Sequence, residues 1–163
     1  MSWSASEIAA LATKAARGAG APAGQAARFG EAAAFCLMTG GAPAALEAAL
    51  AAVPAGGPVL DLPAALDGII ARQGGELRSD APAILIRAYV AVLPFAADAT
   101  ETGHGRWKIM VDLTRPSPRP TPRRISGCDG LIACMSELAA RTFVPESEAS
   151  RAAGAGAGLN DND

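Results

Sequence analysis

Trp107-Lys108-Ile109-Met110-Val111-Asp112-Leu113 is the stretch that decides the fold class. Trp107, Ile109, Val111 and Leu113 alternate with Lys108, Met110 and Asp112. That period of two belongs to a strand with one face buried and one face wet. Helical periods dominate the chain before it. A strand of this kind among helices sets the expected class as α+β: N-terminal helices, a small mainly antiparallel sheet, and C-terminal helices with a Gly-rich tail.

Upstream, the helices are punctuated clearly. Ser4 and Glu7 have the Ser-x-x-Glu spacing of a capping box, and Trp3 and Ile8 the spacing of a hydrophobic staple. Ile8, Leu11, Ala12 and Ala15 then share a face, Lys14 and Arg17 suit the last turn, and Gly18 ends the helix. A second helix is expected from Pro22 to Gly40-Gly41, and a third from Pro43 to Pro54. After Gly56-Gly57, Val59-Leu60-Asp61-Leu62 reads as a short strand, and Pro63 to Arg72 as a short helix ending at Gly74-Gly75. Ile84 to Leu93 is a dense apolar run that periodicity cannot assign. Bracketing by Pro82 and Pro94 at strand length makes a buried strand the expectation, with a helix as the alternative.

Downstream, Pro116, Pro118, Pro120 and Pro122 recur at every second residue. Such a run fits an edge strand whose missing donors all face solvent, or a stiff polyproline-like linker. Asp129 is placed to cap a helix carrying Leu131, Met135, Leu138 and Thr142, with Glu137 and Arg141 as an i,i+4 pair. Pro145 opens a last short helix, which Gly154 stops.

The 163 residues are read as one domain. Its parts are a helical layer (1–54), a sheet region (57–126), and C-terminal helices and tail (128–163). Hydrophobic residues make up 50% of the chain and aromatics only 4%, so the apolar mass is largely alanine. Small side chains let helices approach closely and leave few large anchors, so a partner subunit is expected to complete part of the core. A net charge of -2 argues against a nucleic-acid partner. Cys36, Cys128 and Cys134 show no CxxC spacing and have one histidine to join them, so no metal site is expected and free thiols in a reducing cytoplasm are. With no apolar run long enough to span a bilayer, a cytoplasmic protein without a membrane partner is expected.

The C-terminus reads Ser150-Arg151-Ala152-Ala153-Gly154-Ala155-Gly156-Ala157-Gly158-Leu159-Asn160-Asp161-Asn162-Asp163. Together with Ala139 to Ala149 before it, this tail resembles the end of a bacterial family known as domain of unknown function 3726. The run from Glu7-Ile8 to Ala19-Gly20 resembles that family's opening helix. The resemblance implies no activity and names no cofactor.

Glycines at alternate positions allow successive amides to cup an anion, or another backbone to come close. The ligand-binding candidates are therefore Ser150, Arg151, Gly154, Gly156, Gly158, Asp161 and Asp163. No catalytic set is assigned. Ser147 and Ser150 have no base beside them in sequence, and His104 lies in the loop Thr102-Gly103-His104-Gly105. Arg106, Lys108, Arg115, Arg119, Arg123 and Arg124 form the one strongly basic segment, read as a solvated edge that discourages aggregation. The expected function is a non-catalytic binding or assembly protein that uses its C-terminal tail. Its expected partner is a second copy or another protein subunit. The alternative is a small metabolic enzyme, or a subunit of one, that binds an anionic metabolite at the tail.

Overall fold

The computed structural model describes residues 1–118, 120–121 and 123–142. The class is α+β, with six α-helices and two small antiparallel sheets among the described residues. The first helix, α1 (Ala5–Gly18), opens on the expected capping box. The Ser4 amide donates to Glu7 Oε2 at 2.7 Å, and the Glu7 amide donates to Ser4 Oγ at 3.2 Å. Ile8, Ala12, Ala15 and Ala16 form its buried face, and Trp3 packs against the same core. α2 (Ala23–Met38) lies along α1, so close that a β-carbon on Gly30 would overlap Thr13 Oγ1 and the Ala9 carbonyl. Small residues here act as the composition predicts.

α3 (Pro43–Ala52) ends in a 3-10 turn at Val53–Ala55, followed by α4 (Pro58–Ile70). α4 corrects the expected strand at Val59–Leu62: one helix runs through the segment, with Pro63 inside it. Pro58 suits the first helical position, and Asp61 Oδ2 accepts the Gly57 amide at 3.1 Å. Val59, Leu62, Leu66 and Ile69 are buried at helical spacing. Pro63 removes one hydrogen bond, to the Val59 carbonyl, and its own carbonyl accepts Arg28 Nη1 at 3.1 Å. Arg28 also pairs with Asp67 of α4 at 2.6 Å, which ties α2 to α4.

β1 (Ser2–Trp3) pairs with β5 (Ile125–Ser126) in a two-stranded ribbon. The larger sheet has the order β2-β4-β3, from β2 (Gly74–Arg78), β3 (Phe95–Gly103) and β4 (Arg106–Pro116). β4 is the strand read from Trp107 onward. Trp107 and Ile109 are buried and Val111 half-buried, while Leu113 is 47% exposed as the strand runs out past the core. Neither β2 nor β3 was expected.

α5 (Ala83–Ala91) corrects the buried strand expected over Ile84 to Leu93. Leu85, Ile86, Ala88, Tyr89 and Val90 are all buried, because α2, α4 and β3 enclose the helix on most of its sides. A helix buried nearly all round has no polar stripe, so its period is invisible in sequence.

The proline run follows the linker reading among its described residues: β4 stops at Pro116 and no later residue of the run is in a strand. The Ser117 amide donates to the Pro94 carbonyl at 3.2 Å and Ser117 Oγ to the Ala91 carbonyl at 3.1 Å. α6 (Asp129–Ala140) carries Leu131 and Met135 into the core as expected. Its cap position is Cys128, without a side-chain cap bond; Asp129 lies inside the first turn, 3.9 Å from the N-terminal amine. Glu137 and Arg141 form no ion pair within 4 Å; the ion pairs among the described residues are Met1 to Asp129 and Arg28 to Asp67.

The elements close a ring: α6, α1, α2, α5, β3, β4, β2, α4, α3 and back to α6. β3 and α6 thus lie on opposite sides of the core. Of the large apolar side chains described, Met1, Met110 and Leu113 stand exposed. No single described helix is long and apolar enough to cross a membrane; α3 with its 3-10 turn and α4 pass that test only as a pair bent by 85°.

Candidate functional site

The seven tail candidates, Ser150, Arg151, Gly154, Gly156, Gly158, Asp161 and Asp163, lie outside the described residues. The other polar groups singled out in the sequence are dispersed. Arg124 is structural: its Nη2 donates to the Ser2 carbonyl at 2.8 Å and its Nε to Ser2 Oγ at 3.3 Å, fastening β5 to β1. Arg115 and Arg123 are exposed. His104 occupies the β3–β4 turn and borders a hollow of about 150 Å³ with Ser79, Asp80 and Glu101. Ser79 Oγ is already engaged, accepting the Ala81 amide at 3.2 Å.

Burial raises the thiols of Cys36, Cys128 and Cys134 above their ordinary range, and the nearby carboxylates of Asp129, Glu47 and Glu137 push the latter two the same way. A thiol so held is a poor nucleophile and a poor metal ligand. Among the described residues no cluster of three metal-ligating side chains forms.

A hollow of about 420 Å³ lies between α3, the start of α4 and the segment after β2. Asp61, Arg78 and Asp80 are its charged lining. Two carboxylates against one guanidinium suit an anion poorly.

The distinctive surface is the outer edge of β3. The Ser79 amide donates to the Gly105 carbonyl at 3.0 Å, in register with the β2–β4 pairs. Antiparallel partners alternate between hydrogen-bonded and non-bonded pairs. Gly105, Trp107 and Ile109 therefore turn their backbone groups toward β2, and Lys108, Met110 and Asp112 turn theirs toward β3. Their β3 partners are Thr100, Asp98 and Ala96. The remaining residues, Ala97, Ala99 and Glu101, aim their amides and carbonyls away from β4, at an edge where no strand pairs among the described residues.

Beside that edge runs a groove of about 370 Å³, bordered by Ala97, Asp98 and Ala99 of β3, Arg87 and Val90 of α5, and Phe35 of α2. Three consecutive strand residues border it, which a side-chain face cannot do: the groove follows the backbone edge itself. Its walls are apolar except for two charged residues of opposite sign, Arg87 and Asp98. The Arg87 guanidinium lies 5.6 Å from the centroid of the Trp107 ring. No described carboxylate lies within ion-pair distance of it. A planar cation held on an aromatic face with its donors uncommitted is a carboxylate receptor by chemistry.

Sequence reasoning missed this edge. Phe95, Ala97 and Ala99 do alternate with Ala96, Asp98 and Thr100, a weak period of two that could have marked the strand.

Residues 3–70 match the family model described as Protein of unknown function (DUF3726). That confirms the resemblance carried by the opening helix. The matched span covers α1 to α4 and stops short of β2, so the β3 edge and the C-terminal run of the resemblance both lie beyond it. No curated protein and no solved structure matches the chain.

Proposed function

We propose that the protein is a non-catalytic binding or assembly protein, in which the C-terminal segment takes part in the contact. The observation that carries this reading is the unpaired edge of β3, where Ala97, Ala99 and Glu101 offer backbone donors and acceptors above an alanine-lined groove. Natural proteins usually guard such edges with lysine, proline or a covering element. β3 carries no lysine and no proline along Ala96 to Glu101. A strand edge of this kind recognises an extended chain through main-chain hydrogen bonds. The Gly-Ala alternation of residues 154–158 is the composition best able to come close to another backbone.

The alternative, a small enzyme or enzyme subunit holding an anionic metabolite, has less support: the hollow between α3 and α4 is lined by more carboxylates than cations. A thermal-shift screen of metabolites and divalent cations separates the two. The full chain and a chain ending at Ala153 are both melted. The assembly reading predicts no ligand that stabilises the full chain alone, and a melting temperature that rises with protein concentration. A metabolite that stabilises only the full chain would favour the enzyme.

A further inference from the structure

We infer that the hollow between α3, the start of α4 and the segment after β2 binds a free basic α-amino acid, a molecule with two cationic groups and one carboxylate. The site is separate from the C-terminal segment and from the β3 edge, and it stands whether or not copies of the chain associate. Its volume of about 420 Å³ falls within the range of about 300–1,000 Å³ usual for small-molecule sites.

Asp61, Arg78 and Asp80 line the hollow, and none of the three is paired with another. The ion pairs among the described residues lie elsewhere, at Met1 to Asp129 and Arg28 to Asp67. Opposite charges set around one hollow without closing on each other leave space for a ligand between them. Asp61 keeps an acceptor for it: Oδ2 takes the Gly57 amide at 3.1 Å, and Oδ1 has no hydrogen bond among the described residues.

Charge selects the ligand. Two carboxylates and one guanidinium are complementary to two cations and one carboxylate, the inventory of free lysine, ornithine or arginine. An anionic molecule would meet two like charges, and a zwitterion without a second cation would engage only one of the two carboxylates.

Placement selects the pose. Arg78 and Asp80 lie two residues apart in one segment, and the ammonium and carboxylate of an α-amino acid share one carbon. Asp61 belongs to a different wall, the start of α4. The α-carboxylate therefore goes to Arg78, whose planar guanidinium can engage both oxygens, and the α-ammonium to Asp80. The side-chain cation goes to Asp61. Ala45, Ala48 and Ala49 present one face of α3 to the hollow and give the methylene stem an apolar wall. An ammonium and a carboxylate on the same carbon exist in the free amino acid and not in a residue within a peptide.

The test is isothermal titration of the full chain at low salt with L-lysine, L-ornithine and L-arginine, beside two compounds that each lack one group. L-norleucine has no second cation, and 1,5-diaminopentane has no carboxylate. One-to-one binding of at least one basic amino acid is expected, about 10-fold or more tighter than either control, a difference of about 1.4 kcal/mol. Added salt should weaken it. Asp61→Asn keeps an acceptor for the Gly57 amide while removing the charge, and should lower the basic amino acid to the affinity of norleucine. Arg78→Gln should lower it to the affinity of diaminopentane and leave diaminopentane itself unchanged. Both side chains are exposed, so neither change touches the core. No saturable binding of any of the three amino acids would overturn the site. Diaminopentane or norleucine binding as tightly as the basic amino acids would overturn the ligand class. Undiminished binding in both variants would place the bound molecule elsewhere and overturn the site as well.

Discussion

Gly18 faces the backbone carbonyl of Leu138 so closely that a β-carbon at position 18 would overlap it. The obstacle is main chain of α6, which cannot swing aside as a long side chain would. Gly18→Ala should therefore cost about 1–3 kcal/mol through overpacking, although alanine is the better helix former. Denaturant unfolding measures it. A stabilised variant would show that α1 and α6 are farther apart than described.

Ser4→Ala removes the acceptor for the Glu7 amide and should cost about 0.5–2 kcal/mol. Melting curves check this. An unchanged melting temperature would mean that the first turn of α1 is frayed.

The same pair carries a pH dependence. The Ser4 amide and hydroxyl both donate to Glu7, and these bonds hold its carboxyl below its ordinary range. A group whose folded value is depressed contributes stability above the unfolded value and loses it as the pH falls through the folded one. The box should thus be fully formed above about pH 5 and weaken as the pH drops through the carboxylate range near 4. In Glu7→Gln the fall in stability across that range should be smaller. An identical fall in both proteins would place the acid sensitivity elsewhere.

Much of this architecture is legible in residues that make a local demand. Ser4 and Glu7 announce a cap, Gly40-Gly41 and Pro43 a boundary, and the alternation from Trp107 a half-buried strand, and each is found. The failures share one cause: tertiary enclosure erases periodicity. α5 is wrapped by α2, α4 and β3, so Ile84 to Val92 shows no polar stripe. Val59 to Leu62 reads as a strand ahead of a helix opening at Pro63, yet the helix runs through, because one lost bond is outweighed by burial of Val59, Leu62, Leu66 and Ile69. The β3 edge was harder still. Which backbone groups stand free depends on the order β2-β4-β3, and no residue of β3 encodes that order by itself.

Tyr89 tests the interior. Its hydroxyl is buried without a hydrogen-bond partner among the described residues, and burial pushes its ionisation far up, only partly opposed by Arg28. An unsatisfied buried polar group costs about 1–3 kcal/mol. Tyr89→Phe should therefore leave stability unchanged or raise it by up to that amount. A loss of more than about 1 kcal/mol would show that the hydroxyl holds a bond, to a water or to another group.

The account's central claim is that copies of this chain associate through the C-terminal segment. Sedimentation equilibrium of the full chain over a wide concentration range, beside the chain ending at Ala153, tests it most directly. The account predicts that the full chain rises from the mass of one copy, 16.3 kDa, to at least twice that with concentration, and that the truncated chain remains at the mass of one copy throughout. A full chain that sediments as one copy at every concentration, or a truncated chain that associates as strongly as the full one, would contradict it.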